Sequence, residues 1–178
     1  MKRTILFLTA LLMLAAIGCG PAKADDPNTV FIDPNAVRGG EYGDLYFEAY
    51  GVRFGIYDET EQVLSALPAY NSTFSEQSCA FPGADVSYSF GGFRIMTNEI
   101  DGVSRITGIS VKDDTVKTPQ GLYIGMSEAD ARAAFPALPE SDWNAEDGTA
   151  LLSVIVEDGF VTRIEYSPAV GEDGYAIP

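Results

Sequence analysis

Leu152-Ser153-Val154-Ile155-Val156-Glu157-Asp158-Gly159-Phe160-Val161-Thr162-Arg163-Ile164-Glu165-Tyr166 is the stretch on which the fold turns. β-Branched and aromatic residues on both sides of an Asp-Gly pair signal a hairpin, because glycine accepts the positive φ that a tight turn requires. The same pattern stands earlier in the chain. There Phe93-Arg94-Ile95-Met96-Thr97 leads to Asp101-Gly102 and then to Val103-Ser104-Arg105-Ile106-Thr107-Gly108-Ile109. An extra strand is expected before this copy, where Val86, Tyr88 and Phe90 alternate and lead to Gly91-Gly92.

Moving outward from the hairpins, the match continues. Asp58-Glu59-Thr60-Glu61-Gln62-Val63-Leu64-Ser65-Ala66-Leu67-Pro68 and Ser127-Glu128-Ala129-Asp130-Ala131-Arg132-Ala133-Ala134-Phe135-Pro136 both read as short helices. Each offers a capping residue (Asp58, Ser127), an acid three positions later (Glu61, Asp130) and a proline that stops the helix. Their inward stripes are Val63, Leu64 and Leu67 in one and Ala131, Ala134 and Phe135 in the other. Each helix follows a glycine-bounded strand, Gly51-Val52-Arg53-Phe54-Gly55 or Gly121-Leu122-Tyr123-Ile124-Gly125. The expected fold is therefore α+β, two tandem repeats that each pack a short strand and helix on an antiparallel meander. Module one runs over 43–117, module two over 118–168, and 169–178 forms a tail.

Gly121-Leu122-Tyr123-Ile124-Gly125-Met126-Ser127, a short helix and an Asp-Gly hairpin resemble a small-lipoprotein superfamily. It includes β-lactamase-inhibitor proteins and the small lipoprotein of outer-membrane assembly. The chain looks more closely like uncharacterised Gram-positive lipoproteins that carry this module in tandem. The resemblance covers residues 45–167 and implies a two-module α+β fold with a non-enzymatic binding role. It carries over no functional residue, because these families bind through surfaces that differ between members.

The N-terminus reads as an address. Lys2 and Arg3 precede an apolar run from Ile5 to Ile17, too short for the roughly 20 residues of a membrane span and typical of a signal peptide. Ala16-Ile17-Gly18-Cys19 resembles a lipobox, with Ala16 where leucine is usual; this gives a lipoprotein signal peptide over 1–18 and lipid attachment at Cys19. Cleavage after Ala24, at Ala22-Lys23-Ala24, is the rival. Residues 19–42 are expected to form a flexible acidic tether, rich in proline, glycine and aspartate. Val30, Phe31 and Ile32 are the one piece of it able to dock as an edge strand, although a mobile linker is the favoured reading.

Composition narrows the chemistry. Eleven Lys and Arg against 26 Asp and Glu give a net charge of −15, and there is no histidine. So acidic a chain is not expected to bind nucleic acid, and histidine-based triads and zinc sites are impossible. G-x-S-x-G, S-x-x-K, P-loop and dinucleotide motifs are absent from the sequence. No metal, cofactor or catalytic residue is expected, and the protein is read as a non-enzyme. The stretch 140–148 alternates oxygen ligands, but its sixth and twelfth loop positions, Asp147 and Ser153, fail the calcium-loop pattern, so a solvated loop is expected. Asp113-Asp114 and Glu172-Asp173 read as turn and tail charges, and Cys79 as a buried, inert thiol.

Aromatics are the surplus. Tyr42, Tyr46, Phe47, Tyr50, Phe54 and Tyr57 fall within one sixteen-residue stretch. Strand alternation would place Phe47 and Ala49 inward and turn Tyr46, Glu48 and Tyr50 outward. The expected function is a lipid-anchored, extracytoplasmic interaction protein that recognises an envelope protein or peptide through its sheet surface. The alternative is a cell-surface protein that binds or cleaves glycans with exposed aromatics and a carboxylate pair.

Overall fold

The Asp158-Gly159 turn forms with φ of 53° and 81°, and joins β9 (Ala150–Glu157) to β10 (Phe160–Pro168). Its counterpart, Asp101-Gly102 with φ of 52° and 78°, joins β6 (Phe93–Ile100) to β7 (Val103–Val111). A computed structural model of the chain describes residues 29–31, 45–79, 83–138 and 143–169. Its other elements are β1 (Thr29–Phe31), β2 (Phe47–Ala49), β3 (Val52–Phe54), β4 (Ser72–Gln77), β5 (Ala84–Ser89) and β8 (Trp143–Glu146), with helices α1 (Thr60–Ala66) and α2 (Glu128–Ala134). The fold is α+β: mostly antiparallel sheet with two short helices.

Eight strands make one sheet in the order β1-β8-β9-β10-β7-β6-β5-β4. The two Asp-Gly hairpins meet at its centre, where Ile164, Glu165 and Tyr166 pair with Val111, Ser110 and Ile109. Inward positions alternate as a half-buried sheet requires. Leu152 and Val154 on β9, Ile164 and Tyr166 on β10, Ile109 and Val111 on β7, and Phe93 and Ile95 on β6 are all buried. Against this face pack Val63 of α1, Ala131 of α2 and the β2–β3 hairpin, whose Phe47 ring lies 5.2 Å from Phe93 and 5.9 Å from Tyr166. One hydrophobic cluster thus contains residues from both 43–117 and 118–168.

Each helix is tied to a hairpin by the same pair of backbone bonds. Tyr57 N–H donates to Ile106 C=O and Ile106 N–H to Asp58 C=O (2.8 and 2.9 Å). In the second half Gly125 N–H donates to Val161 C=O and Val161 N–H to Met126 C=O (2.7 and 2.9 Å). Tyr57 and Gly125 both hold positive φ, 71° and 85°. The backbone match therefore sets Tyr57 against Gly125, two residues away from the Gly55–Gly125 match expected from the glycine pattern.

Several expectations need correction. Residues 121–125 form a bend and turn rather than a strand, because Thr118 N–H and hydroxyl contacts close on Leu122 instead of a neighbouring strand. Glu59, not Asp58, is the N-cap of α1 and makes no side-chain cap; the Asp58 carboxylate accepts from Gly55 N–H at 2.9 Å instead. Ser127 does cap α2, accepting from Asp130 N–H. Ala134 is exposed, so the α2 stripe narrows to Ala131 with Phe135 at its margin. In the expected tether, Thr29–Phe31 form β1, parallel to β8 with Val30 opposite Ala145; the rest of 19–42 lies outside the described residues. The expected solvated loop holds β8, because Trp143 and Ala145 turn inward to the core. Cys79 is exposed, since it follows edge strand β4, all of whose residues are exposed.

Candidate functional site

With the helices and the β2–β3 hairpin on one side, the other face of the sheet carries the alternate side chains. Register places Asn144, Ser153, Glu165, Ser110, Arg94, Ser89 and Ser72 in one row across seven strands. A second row sets Phe74, Ser87, Met96 and Gly108 side by side. A Cβ at Gly108 would stand 2.5 Å from Met96 Cε, so the methionine side chain occupies the space left over the glycine on β7. The face is rich in short hydroxyls, which donate and accept without filling space. Ser153 Oγ, for example, donates to Asn144 Oδ1 at 2.8 Å. Phe74 (62% exposed) and Ile155 (38%) add apolar contact points at its flanks.

The cations divide sharply. Arg53 pairs with Glu48 at 2.8 Å and covers the Tyr46 ring. Arg132 pairs with Glu128 at 3.0 Å and stacks 4.1 Å above Trp143. Arg105 donates to Tyr57 C=O, and Lys117 sits over Tyr123. Arg94, Lys112 and Arg163 are exposed, and make no ion pair among the described residues. All three belong to the open face. Arg94 faces Ser110, Arg163 precedes Glu165 by two, and Lys112 follows Ser110 by two with its N–H bonded to Gly92 C=O.

Acids share the open face: Glu76 lies opposite Asp85, Glu165 opposite Ser110, and Glu157 continues the outward set of Ser153 and Ile155. Asp147 is buried and accepts from Leu45, Thr149 and Ala150 N–H at 3.2, 2.9 and 2.8 Å. Beside it, burial and then the neighbouring Asp147 raise the Glu146 carboxyl above its ordinary range. Asp113 is held below its ordinary range by hydrogen bonds from the Thr115 hydroxyl and N–H, with Lys112 a lesser cause, in the turn expected of it. Among the described residues no three acids or cysteines gather as metal ligands. A cleft of about 270 Å³ between β3 and α1 is lined by Val52, Arg53, Asp58, Glu59 and Gln62, but Arg53 and Asp58 are already engaged.

The expected aromatic display is smaller than the sequence implies. Phe47, Phe54, Phe90 and Phe93 are buried, Tyr46 and Tyr57 are half-buried, and Tyr42 lies outside the described residues. Tyr50 is exposed on the β2–β3 turn, on the core side of the sheet rather than on the open face. Burial raises the Tyr57 hydroxyl pKa, and that hydroxyl has no partner among the described residues. Cys19 and Glu172-Asp173 also lie outside the described residues. The open-face cations were missed in the sequence, although the alternation Arg94–Met96 and Arg163–Glu165 opposite apolar neighbours marks them as outward. Among the described residues no helix is long and apolar enough to cross a membrane. Compared with known proteins, the chain matches no family model, no curated protein and no solved structure.

Proposed function

We propose that the protein is a lipid-anchored, extracytoplasmic interaction protein without catalytic activity, binding an envelope protein or peptide on the open face of its sheet. One observation carries this reading: helices and hairpin stand on the core side, leaving a broad polar face with exposed charged and hydroxyl side chains. Sheets exposed on one side are ordinary, but an exposed face of this width with flanking Phe74 and Ile155 is suited to a macromolecular partner. The anchor rests on Cys19 and the apolar run before it.

The paired helix-to-hairpin bonds and the twin Asp-Gly turns support descent from a duplicated module. Kinship with the small-lipoprotein superfamily rests on the sequence resemblance over residues 45–167. A glycan-binding alternative draws on Tyr70, 44% exposed with its ring 5.1 Å from Tyr88. Aromatic-dependent, saturable binding of cell-wall or dietary glycans would favour that alternative.

Two experiments test the main reading. Intact mass and membrane fractionation of the full chain beside Cys19→Ala should show a diacylglyceryl increment that the variant lacks; a soluble product beginning at Asp25 would sink the anchor. A photoreactive residue at Ser110, compared with one at exposed Gln62 on α1, should yield a discrete adduct on membranes only from position 110. No adduct from position 110, or equal adducts from both, would count against the open face.

A further inference from the structure

We infer that the free edge of β4 takes up an extended segment of a partner as a further strand, one that sets a basic residue against Glu76 and an apolar residue against Phe74. β4 ends the eight-stranded sheet, and all of its residues are exposed. It pairs with β5 without a bulge, and Ser-Thr-Phe-Ser-Glu-Gln contains neither the proline nor the lysine that commonly blunts an edge. Ser78 N–H donates to Gly83 C=O at 3.2 Å, which fixes the phase of the ladder. Ser72, Phe74 and Glu76 therefore exchange backbone bonds with β5, whereas Thr73, Ser75 and Gln77 turn their N–H and C=O groups outward. These outward groups form the row with which an added strand pairs.

Charge decides what that segment carries. Glu76 and Asp85 stand directly opposite each other on β4 and β5, a like-charge pair that opposes the pairing it sits in. Asp85 accepts from Asn98 Nδ2, but the Glu76 side chain makes no ion pair or hydrogen bond among the described residues. Neither strand holds a Lys or Arg. In the row Glu76, Asp85, Asn98, Arg105 the cation is three strands away and donates to Tyr57 C=O. Arg94 lies in the Ser72 row, four residues along from Glu76 and two strands in. Exposed Glu99 and Asp101 add acid at the Glu76 end of the sheet. A basic side chain on an added strand, about 5 Å from Glu76 and reaching towards Asp85, neutralises the pair. Two residues on, the added strand faces Phe74, 62% exposed, so its next side chain on that face is apolar. A second copy does not fit, because its own β4 brings another Glu76 and no cation, on a chain of net charge −15. Glu76 thus turns away copies of this chain while admitting a basic strand.

The test uses the full chain, expressed with its own leader and held in non-ionic detergent, with short fluorescent peptides. The probe is Thr-Lys-Thr-Val repeated twice; one control has Glu for Lys, and another is the probe methylated on its threonine amides. The threonines fall at the positions that bond Thr73, Ser75 and Gln77, so methylation blocks strand addition and leaves the charge. The probe is expected to bind about tenfold more tightly than either control. Ser75→Pro removes an outward N–H and no bond to β5, and should weaken the probe about tenfold. Glu76→Lys should weaken it about fivefold and reverse the preference between the Lys and Glu peptides. Asp114→Lys, the same charge change at an exposed turn, should do neither. Circular dichroism identifies a Ser75→Pro chain that fails to fold, in which case the methylated peptide and Glu76→Lys decide alone. Equal binding of the methylated probe, or equal effects of Glu76→Lys and Asp114→Lys, would mean diffuse attraction to an acidic chain and overturn the inference. Self-association of the wild type that Ser75→Pro abolishes, with no probe bound, would assign the edge to a second copy and overturn it too. The site is the edge and not the face, so the Ser110 crosslink is a separate test.

Discussion

Asp147 shows how one acid can be read wrongly and matter greatly. Within an acidic stretch it looks like one more solvated charge, yet its carboxylate gathers the N–H groups of Leu45, Thr149 and Ala150. It thereby clamps the entry to β2 onto the β8–β9 turn, residues about a hundred positions apart in sequence. Asp147→Ala strands these donors and should cost about 3 to 5 kcal/mol in denaturant unfolding, far more than Asp114→Ala at an exposed turn position. Similar loss in the two variants would refute the clamp. Glu146 behaves oppositely. Its raised carboxyl pKa means ionisation opposes folding, a penalty absent below the unfolded value near pH 4 and growing as pH rises through the folded value. Glu146→Gln should therefore stabilise at pH 7 by about 0.5 kcal/mol or less, given the screening of a largely exposed group, and by nothing near pH 3. Thermal melts at the two pH values check the sign. Neither role was legible from sequence, because both depend on what the strands bring alongside.

The elements divide by whether their signal is local. Both Asp-Gly hairpins were legible, since turn chemistry and alternation agree over short range. Strand β4, Ser-Thr-Phe-Ser-Glu-Gln, gave no such signal: it is an edge strand exposed throughout, and only its pairing with β5 makes it a strand. Strand β1 is three residues held by parallel pairing to β8, so non-local contact decides it. The capping pattern was right for one helix and a residue off for the other. Ser127 caps α2 through Asp130 N–H, whereas Glu59 at the α1 start caps nothing through its side chain. Ser127→Ala should cost about 1 kcal/mol and Glu59→Ala only a few tenths, measured by chemical denaturation; equal costs would mean the α2 cap contributes little.

At the scale of the whole molecule, the halves share a sheet and a core. The β7–β10 pairing joins them at the centre, and Phe47 touches both Phe93 and Tyr166. Unfolding should therefore be a single cooperative transition, with near- and far-ultraviolet circular dichroism superimposing; two separated transitions would show halves that stand alone. The two Asp-Gly hairpins were visible in the sequence, but their edge-to-edge joining into one sheet was not. Its open face was equally hidden, because which side the helices cover is a tertiary choice that alternation alone leaves undetermined. The most direct test is a crosslinking map in cells, with the photoreactive residue placed in turn at Ser89, Ser110 and Ser153 and at Tyr50, Gln62 and Ala129. The account predicts a common discrete adduct from the three open-face serines and none from the other side. Adducts only from Tyr50, Gln62 or Ala129, or none from any position, would contradict it.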